Sequence, residues 1–284
     1  MVLEMLVNPD KAERKPWEMF FVGLLYAFVG VFLSLWIFRS QASIVMVFLT
    51  VIASLYLIQG TLRREELKDH ALETSELKLL KQHWPVLSYF MYLFLGFVVA
   101  FSLVYILAPP ELVSSLFSVQ TEAIGDVNRV AVSGSAVERS GFLGNIFFNN
   151  LKVLFFTFIF AFFYGAGAVF ILAWNASVVA AAVGSFVRSE VALITTRLGW
   201  ETAGYFSAYS VGLMRYLTHG VFEILAYFVA ALGAGIISIA ALHHSFGSDA
   251  FRKTLVDSLD LIVISVVILF LAALIEVFVT PVLF

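Results

Sequence analysis

The chain holds 284 residues, 61% of them hydrophobic and only 13% charged, with a formal net charge of −3. Apolar runs of this length exceed what a soluble core of that size requires, so the composition points to an all-α, polytopic helical bundle in a lipid bilayer. The mild charge gives no bulk attraction for nucleic acid, and zero cysteines exclude disulfides, thiolate metal sites and cysteine nucleophiles.

A membrane span needs about 20 predominantly apolar residues. Read that way, 17–38 and 43–59 form an N-terminal helical hairpin (17–59), closed by the short Arg39-Ser40-Gln41-Ala42 turn. A cleavable signal peptide is not expected, because the first apolar run follows Pro16 and is too long for an h-region. The segment 61–83 carries Arg63, Arg64, Lys68, Lys78 and Lys81 beside a leucine stripe. It reads as a cytoplasmic amphipathic segment, either an interfacial helix or a solvated helix–turn, and as a place for a partner. The third span, 85–108, stops at Pro109-Pro110. Residues 109–144, serine- and valine-rich and punctuated by glycine, are expected to be an extracytoplasmic aqueous loop with little helical periodicity.

A phenylalanine-rich fourth span covers 151–174. Beyond it the pattern loses regularity: a short apolar run over 177–187, a polar stretch with Arg188, Glu190, Arg197 and Glu201, then an aromatic run ending near Arg215. Residues 175–217 read as one crossing made of broken or re-entrant pieces, which lipid tolerates only where backbone is buried in protein or faces water. Two ordinary spans, 218–242 and 259–283, complete about seven crossings in a single membrane domain over 1–284. Lys11, Arg14, Lys15, the basic residues of 61–83, Arg252 and Lys253 all fall on one side if the N-terminus is cytoplasmic. The C-terminus is then extracytoplasmic. Trp17, Trp36 and Trp84 stand at span ends, as interfacial anchors do.

The residues with chemical potential are few. His219 and Glu223 are four apart and share one helix face. With Thr218 as N-cap and Gly220 allowing close approach, Glu223 would sit near the positive end of a helix dipole. Glu276 lies deep in the last span beside Thr280 and Pro281, where Pro281 is expected to end the helix. Carboxylates at that depth are costly unless paired, protonated or wet, so these side chains should face neighbouring helices. Three readings stand open for them: a structural pair, with Arg215 as a possible partner; a proton or cation pathway; or an N,O,O metal set. The metal reading lacks the second histidine of H-E-x-x-H. Asn149 and Asn150 precede the fourth span and suit helix caps, while Asn175 heads the short half-helix. No cofactor motif and no catalytic constellation is present.

Phe-Phe-Asn-Asn (147–150), Tyr-Gly-Ala-Gly (164–167), Trp-Asn-Ala (174–176), Thr-His-Gly-Val-Phe-Glu (218–223) and Ala-Ala-Leu-Ile-Glu-Val-Phe-Val-Thr-Pro (272–281) follow one another in order. Over 145–281 this succession resembles the stage II sporulation protein M family, and 145–284 is taken as a family-like membrane core. The resemblance implies a polytopic membrane protein that serves as scaffold or anchor within a complex rather than as a catalyst. In spore formers, the namesake acts with cell-wall hydrolases during engulfment. The implied residues of interest are Asn149, Asn150, Asn175, His219, Glu223 and Glu276. The expected function is therefore a non-enzymatic scaffold or subunit of a membrane assembly, self-associating and with protein partners. A proton- or ion-coupled transporter or channel is the alternative, and a metal-dependent intramembrane hydrolase a third.

Overall fold

A computed structural model describes residues 15–69, 76–130, 136–164, 168–198, 201–243 and 248–283. Among these every regular element is helical, the one backbone arrangement besides a closed barrel that satisfies all its polar groups in hydrocarbon. In chain order they are α1 (Glu18–Ile37), a 3₁₀ turn (Arg39–Gln41), α2 (Ala42–Asp69), α3 (Glu76–Leu107), α4 (Pro110–Leu116) and α5 (Ser118–Val130). Then follow α6 (Ala136–Tyr164), α7 (Ala168–Leu198), α8 (Glu201–His243), α9 (Asp249–Leu274), a π turn (Ile275–Val279) and α10 (Thr280–Leu283). Seven helices among the described residues are long and apolar enough to cross a membrane. The all-α polytopic bundle expected from composition is what the chain forms.

The spans are cut differently from the expectation in the second half. The apolar run from 151 to 187 belongs to α6 as far as Tyr164 and to α7 from Ala168, with 165–167 outside the described residues. The fourth membrane window is Leu143–Phe162 and the fifth Val169–Ser189. The fifth window lies within a continuous α7, and the rest of 175–217 belongs to α7 as far as Leu198 and to α8 from Glu201, with 199–200 outside the described residues. The polar residues that suggested a break belong to helix ends carried beyond the apolar windows. Pro281 does not end the helix either. The chain stays helical through Leu283, after a π turn immediately before it.

Two connections also differ. In 61–83, α2 continues to Asp69 and α3 begins at Glu76, so the described part is two prolonged spans and not a separate interfacial helix. Where an aqueous loop was expected over 109–144, the described residues form α4, α5 and the first turns of α6. Pro109 forces the end of α3, because a residue followed by proline is kept out of the α region, and Pro110 opens α4 at the position where its missing N–H is harmless. The segment then folds back onto the bundle. Phe117 packs edge-on against Tyr105 at 5.0 Å, and Ser115 Oγ donates to Arg39 O at 3.1 Å.

Gln120, fully buried, fixes that return. Its Oε1 accepts from Ser43 Oγ at 2.7 Å, while its Nε2 donates to Ser43 O at 3.3 Å and to Ser177 Oγ at 3.1 Å. Ser43 Oγ in turn accepts from the Val119 N–H, and Ser177 Oγ donates to Trp174 O. Every member is satisfied, the condition under which a buried polar network stabilises instead of costing. One amide thus ties α2, α5 and α7. Nearby, Arg188 of α7 donates to Ile106 O and Ala108 O, the carbonyls left open where α3 ends, with its guanidinium over the Tyr105 ring.

α8 is the central helix. Buried residues make up 72% of its apolar window, against 17% for α6, so α6 lies at the rim. On the other side, α1 and α3 touch backbone to backbone. A Cβ on Gly23 would stand 2.4 Å from Leu93 O, and one on Gly96 2.3 Å from Phe20 O. Only glycine permits this approach, the small-residue device by which membrane helices gain packing without a hydrophobic drive. Gly220, by contrast, meets nothing within 4 Å, so it supports no close approach.

We expect Gly96→Ala to lower the melting temperature in detergent at a cost of about 1–3 kcal/mol, and Gly220→Ala to stay within about 0.5 kcal/mol of the parent. Equal melting of the two variants would contradict the described crossing.

Candidate functional site

The polar centre is assembled from three helices. α6 supplies Asn150, α8 supplies His219 and Glu223 with Tyr227 one turn on, and the π turn with α10 supplies Glu276 and Thr280. Asn150 and Glu223 lie 73 positions apart, and Asn150 Nδ2 donates to Glu223 Oε1. The Glu223 and Glu276 carboxyl groups lie beside one another, within electrostatic reach. The buried Tyr227 lies within electrostatic reach of both.

The π turn explains how Glu276 is aimed. Pro281 has no N–H for the carbonyl four residues back and its ring crowds that carbonyl, so the preceding turn widens. Thr280 Oγ1 then donates to Ile275 O at 3.3 Å, five residues earlier. The same hydroxyl lies 3.3 Å from His219 Nδ1, a hydrogen bond whose direction follows the imidazole tautomer. His219 therefore faces the α10 hydroxyl, and the two glutamates face Asn150 and one another. Aromatic packing braces the same corner, with Phe147 of α6 edge-on to Phe270 of α9 at 5.5 Å.

The residues singled out from sequence divide accordingly. His219, Glu223, Glu276 and Asn150 come to one corner. Asn149 is exposed and turned away from that corner, and neither asparagine caps a helix, since both lie well inside α6. Thr218 is no N-cap: it is interior to α8 and its hydroxyl donates to Met214 O at 2.7 Å, so the helix-dipole support expected for Glu223 is absent. Asn175 heads no half-helix; it is interior to α7, and its buried Nδ2 has no hydrogen-bond partner among the described residues. The Arg215 side chain lies outside the described residues, and its backbone sits on α8 two turns before Glu223. Sequence reasoning missed Tyr227, which the four-residue spacing from Glu223 could have flagged, and Gln120, which no local pattern marks.

Chemically, the corner can hold helices together, and it can hold or pass a proton. An N,O,O metal set is not formed, because His219 turns to Thr280; among the described residues no three His, Asp or Glu side chains converge.

A family model described as Stage II sporulation protein M matches residues 19–281. The chain belongs to the stage II sporulation protein M family. No curated protein and no solved structure matches it. The family match takes in α1 to α3 as well as the 145–281 core, so the Gly23–Gly96 crossing and the Gln120 network lie within the stage II sporulation protein M region. Together with the seven apolar helices, membership makes this a multi-pass membrane protein.

Asn150→Ala strands a buried acceptor and should destabilise by about 1–3 kcal/mol. Combined with Glu223→Gln, its effect should fall short of the sum of the two single changes in a thermal-melting cycle. Strict additivity would show that the two side chains do not interact.

Proposed function

We propose that this chain is a non-enzymatic, integral-membrane subunit that acts as a scaffold in a membrane-associated complex. The observation that carries the reading is the use made of the polar side chains at membrane depth. Asn150 donates to Glu223, Glu223 and Glu276 lie beside one another, and His219 meets Thr280, each contact running between helices as interhelical glue does. Family membership supports a complex component. The proposed orientation keeps the N-terminus in the cytoplasm, which puts α4, α5 and the C-terminus outside; the clustering of Lys and Arg in the N-terminal and 61–83 segments supports it. An impermeant thiol reagent should reach a cysteine at Glu122 from the outer face, and labelling from the inner face alone would reverse the assignment.

Gentle detergent extraction of the tagged chain from native membranes should yield a discrete assembly containing at least one further protein. Recovery of a monodisperse chain alone, across several mild detergents, would remove the scaffold reading. Repeating the extraction without residues 61–83 tests whether the cytoplasmic prolongation of α2 and α3 docks the partner.

A second reading, proton- or ion-coupled transport, is favoured by one observation: Glu276 stands on a π turn, a backbone irregularity frequent at functional sites, and lies beside Glu223 of α8. Coupled flux in proteoliposomes should then fall in Glu223→Gln and Glu276→Gln. Flux unaltered by both would take these side chains out of any pathway.

A further inference from the structure

The rim helix α6 carries a polar stripe on the face turned away from the bundle. Asn145, Asn149 and Lys152 are all exposed, and the helical repeat aligns them with Phe156 on one side of the cylinder. Phe148 and Phe155 flank the stripe and are also exposed. Lys152 stands midway along the apolar window Leu143–Phe162, about 14 Å of helical rise from either end. No hydrogen bond or ion pair with a described residue occupies these three polar side chains. A cation in the middle of a span normally faces the protein interior, a watery cavity or an opposite charge. Here it faces outward from the least buried span among the described residues.

We propose that this stripe is the docking face for a transmembrane helix of a partner protein that carries a carboxylate at the depth of Lys152. The inference rests on the subunit reading above and adds where the partner sits and what it must present. Charge selects the occupant. Lys152 offers three donors and no acceptor, so hydrocarbon leaves it unpaired and an acidic side chain satisfies it. A second copy of this chain does not supply that acid. The described carboxylates at this depth, Glu223 and Glu276, are turned to the other side of α6 and engaged there, and a two-fold contact through the stripe would set Lys152 against Lys152. A lipid headgroup can draw in a snorkelling lysine, but the short Asn149 amide cannot climb to the headgroups and needs a partner at its own depth. Phe148, Phe155 and Phe156 frame the stripe with the aromatic surface typical of interface anchors.

The test is photo-cross-linking in native membranes with the full-length chain, the photoreactive residue replacing Asn149 or Phe156 and, as a control, the lipid-exposed Val263 of α9. The expected result is a protein adduct at Asn149 and Phe156 but not at Val263, whose cross-linked peptide maps to an apolar span containing Asp or Glu. Lys152→Glu should cut the adduct yield roughly tenfold or more, as loss of a desolvated charge pair does, while Lys152→Arg retains it. A second copy as adduct, lipid adducts alone, a peptide without a carboxylate, no adduct, or yield indifferent to Lys152→Glu would each overturn the proposal. A complex cross-linked only through α4 and α5 would overturn it while leaving the subunit reading intact, and absence of any complex would remove both.

Discussion

Lipid offers no hydrogen bonds, and this architecture follows from that single constraint. Backbone groups answer it by being helical over nearly all of the described residues. Side chains answer it by meeting one another across helices. The Asn150–Glu223–Glu276 contact joins α6, α8 and the π turn, and the Gln120 amide joins α2, α5 and α7. Each brings together residues far apart in the chain at a buried place where an unpaired polar group would be expensive. Both junctions therefore specify which helices are neighbours, a task that apolar packing alone performs loosely when lipid tails are as greasy as leucine.

The two halves of the bundle are held by different means. α1 and α3 rely on contact between backbones, made possible by Gly23 and Gly96. The other half relies on polar bonds and on aromatic packing such as Phe147 against Phe270. Its central helix, α8, is prolonged well beyond the apolar window, as is the end of α7, so the pair extends past the membrane region. Arg188, placed where α7 leaves its window, closes the end of α3 and so links the glycine-built half to the polar one.

Much of this was legible before any coordinates. Helical class and the number of crossings follow from apolar run lengths, because a span has a fixed thickness to bridge. Glu223 and Glu276 stood out because a charge in hydrocarbon is conspicuous. The division of the run from 151 to 187 was not legible, since hydropathy measures how apolar a stretch is and not where the chain turns. Asn145, Asn149 and Lys152 hid the start of the fourth window, and 165–167 carries no charge to mark its end. Gln120 was invisible for a different reason: a lone glutamine in a polar stretch looks like any solvated residue, and only its distant partners Ser43 and Ser177 give it meaning. Pro281 gives no clear signal in sequence, because a proline near a helix end can widen a turn as readily as stop it.

The interlocked glycines carry a mechanical consequence. Where two main chains meet with no side chain between them, axial sliding would drive a carbonyl into the next residue's Cβ, so the two helices must travel as one rigid strut. Whatever rearrangement this protein undergoes has to be absorbed elsewhere, in elements joined by a few directional bonds that can be exchanged one at a time.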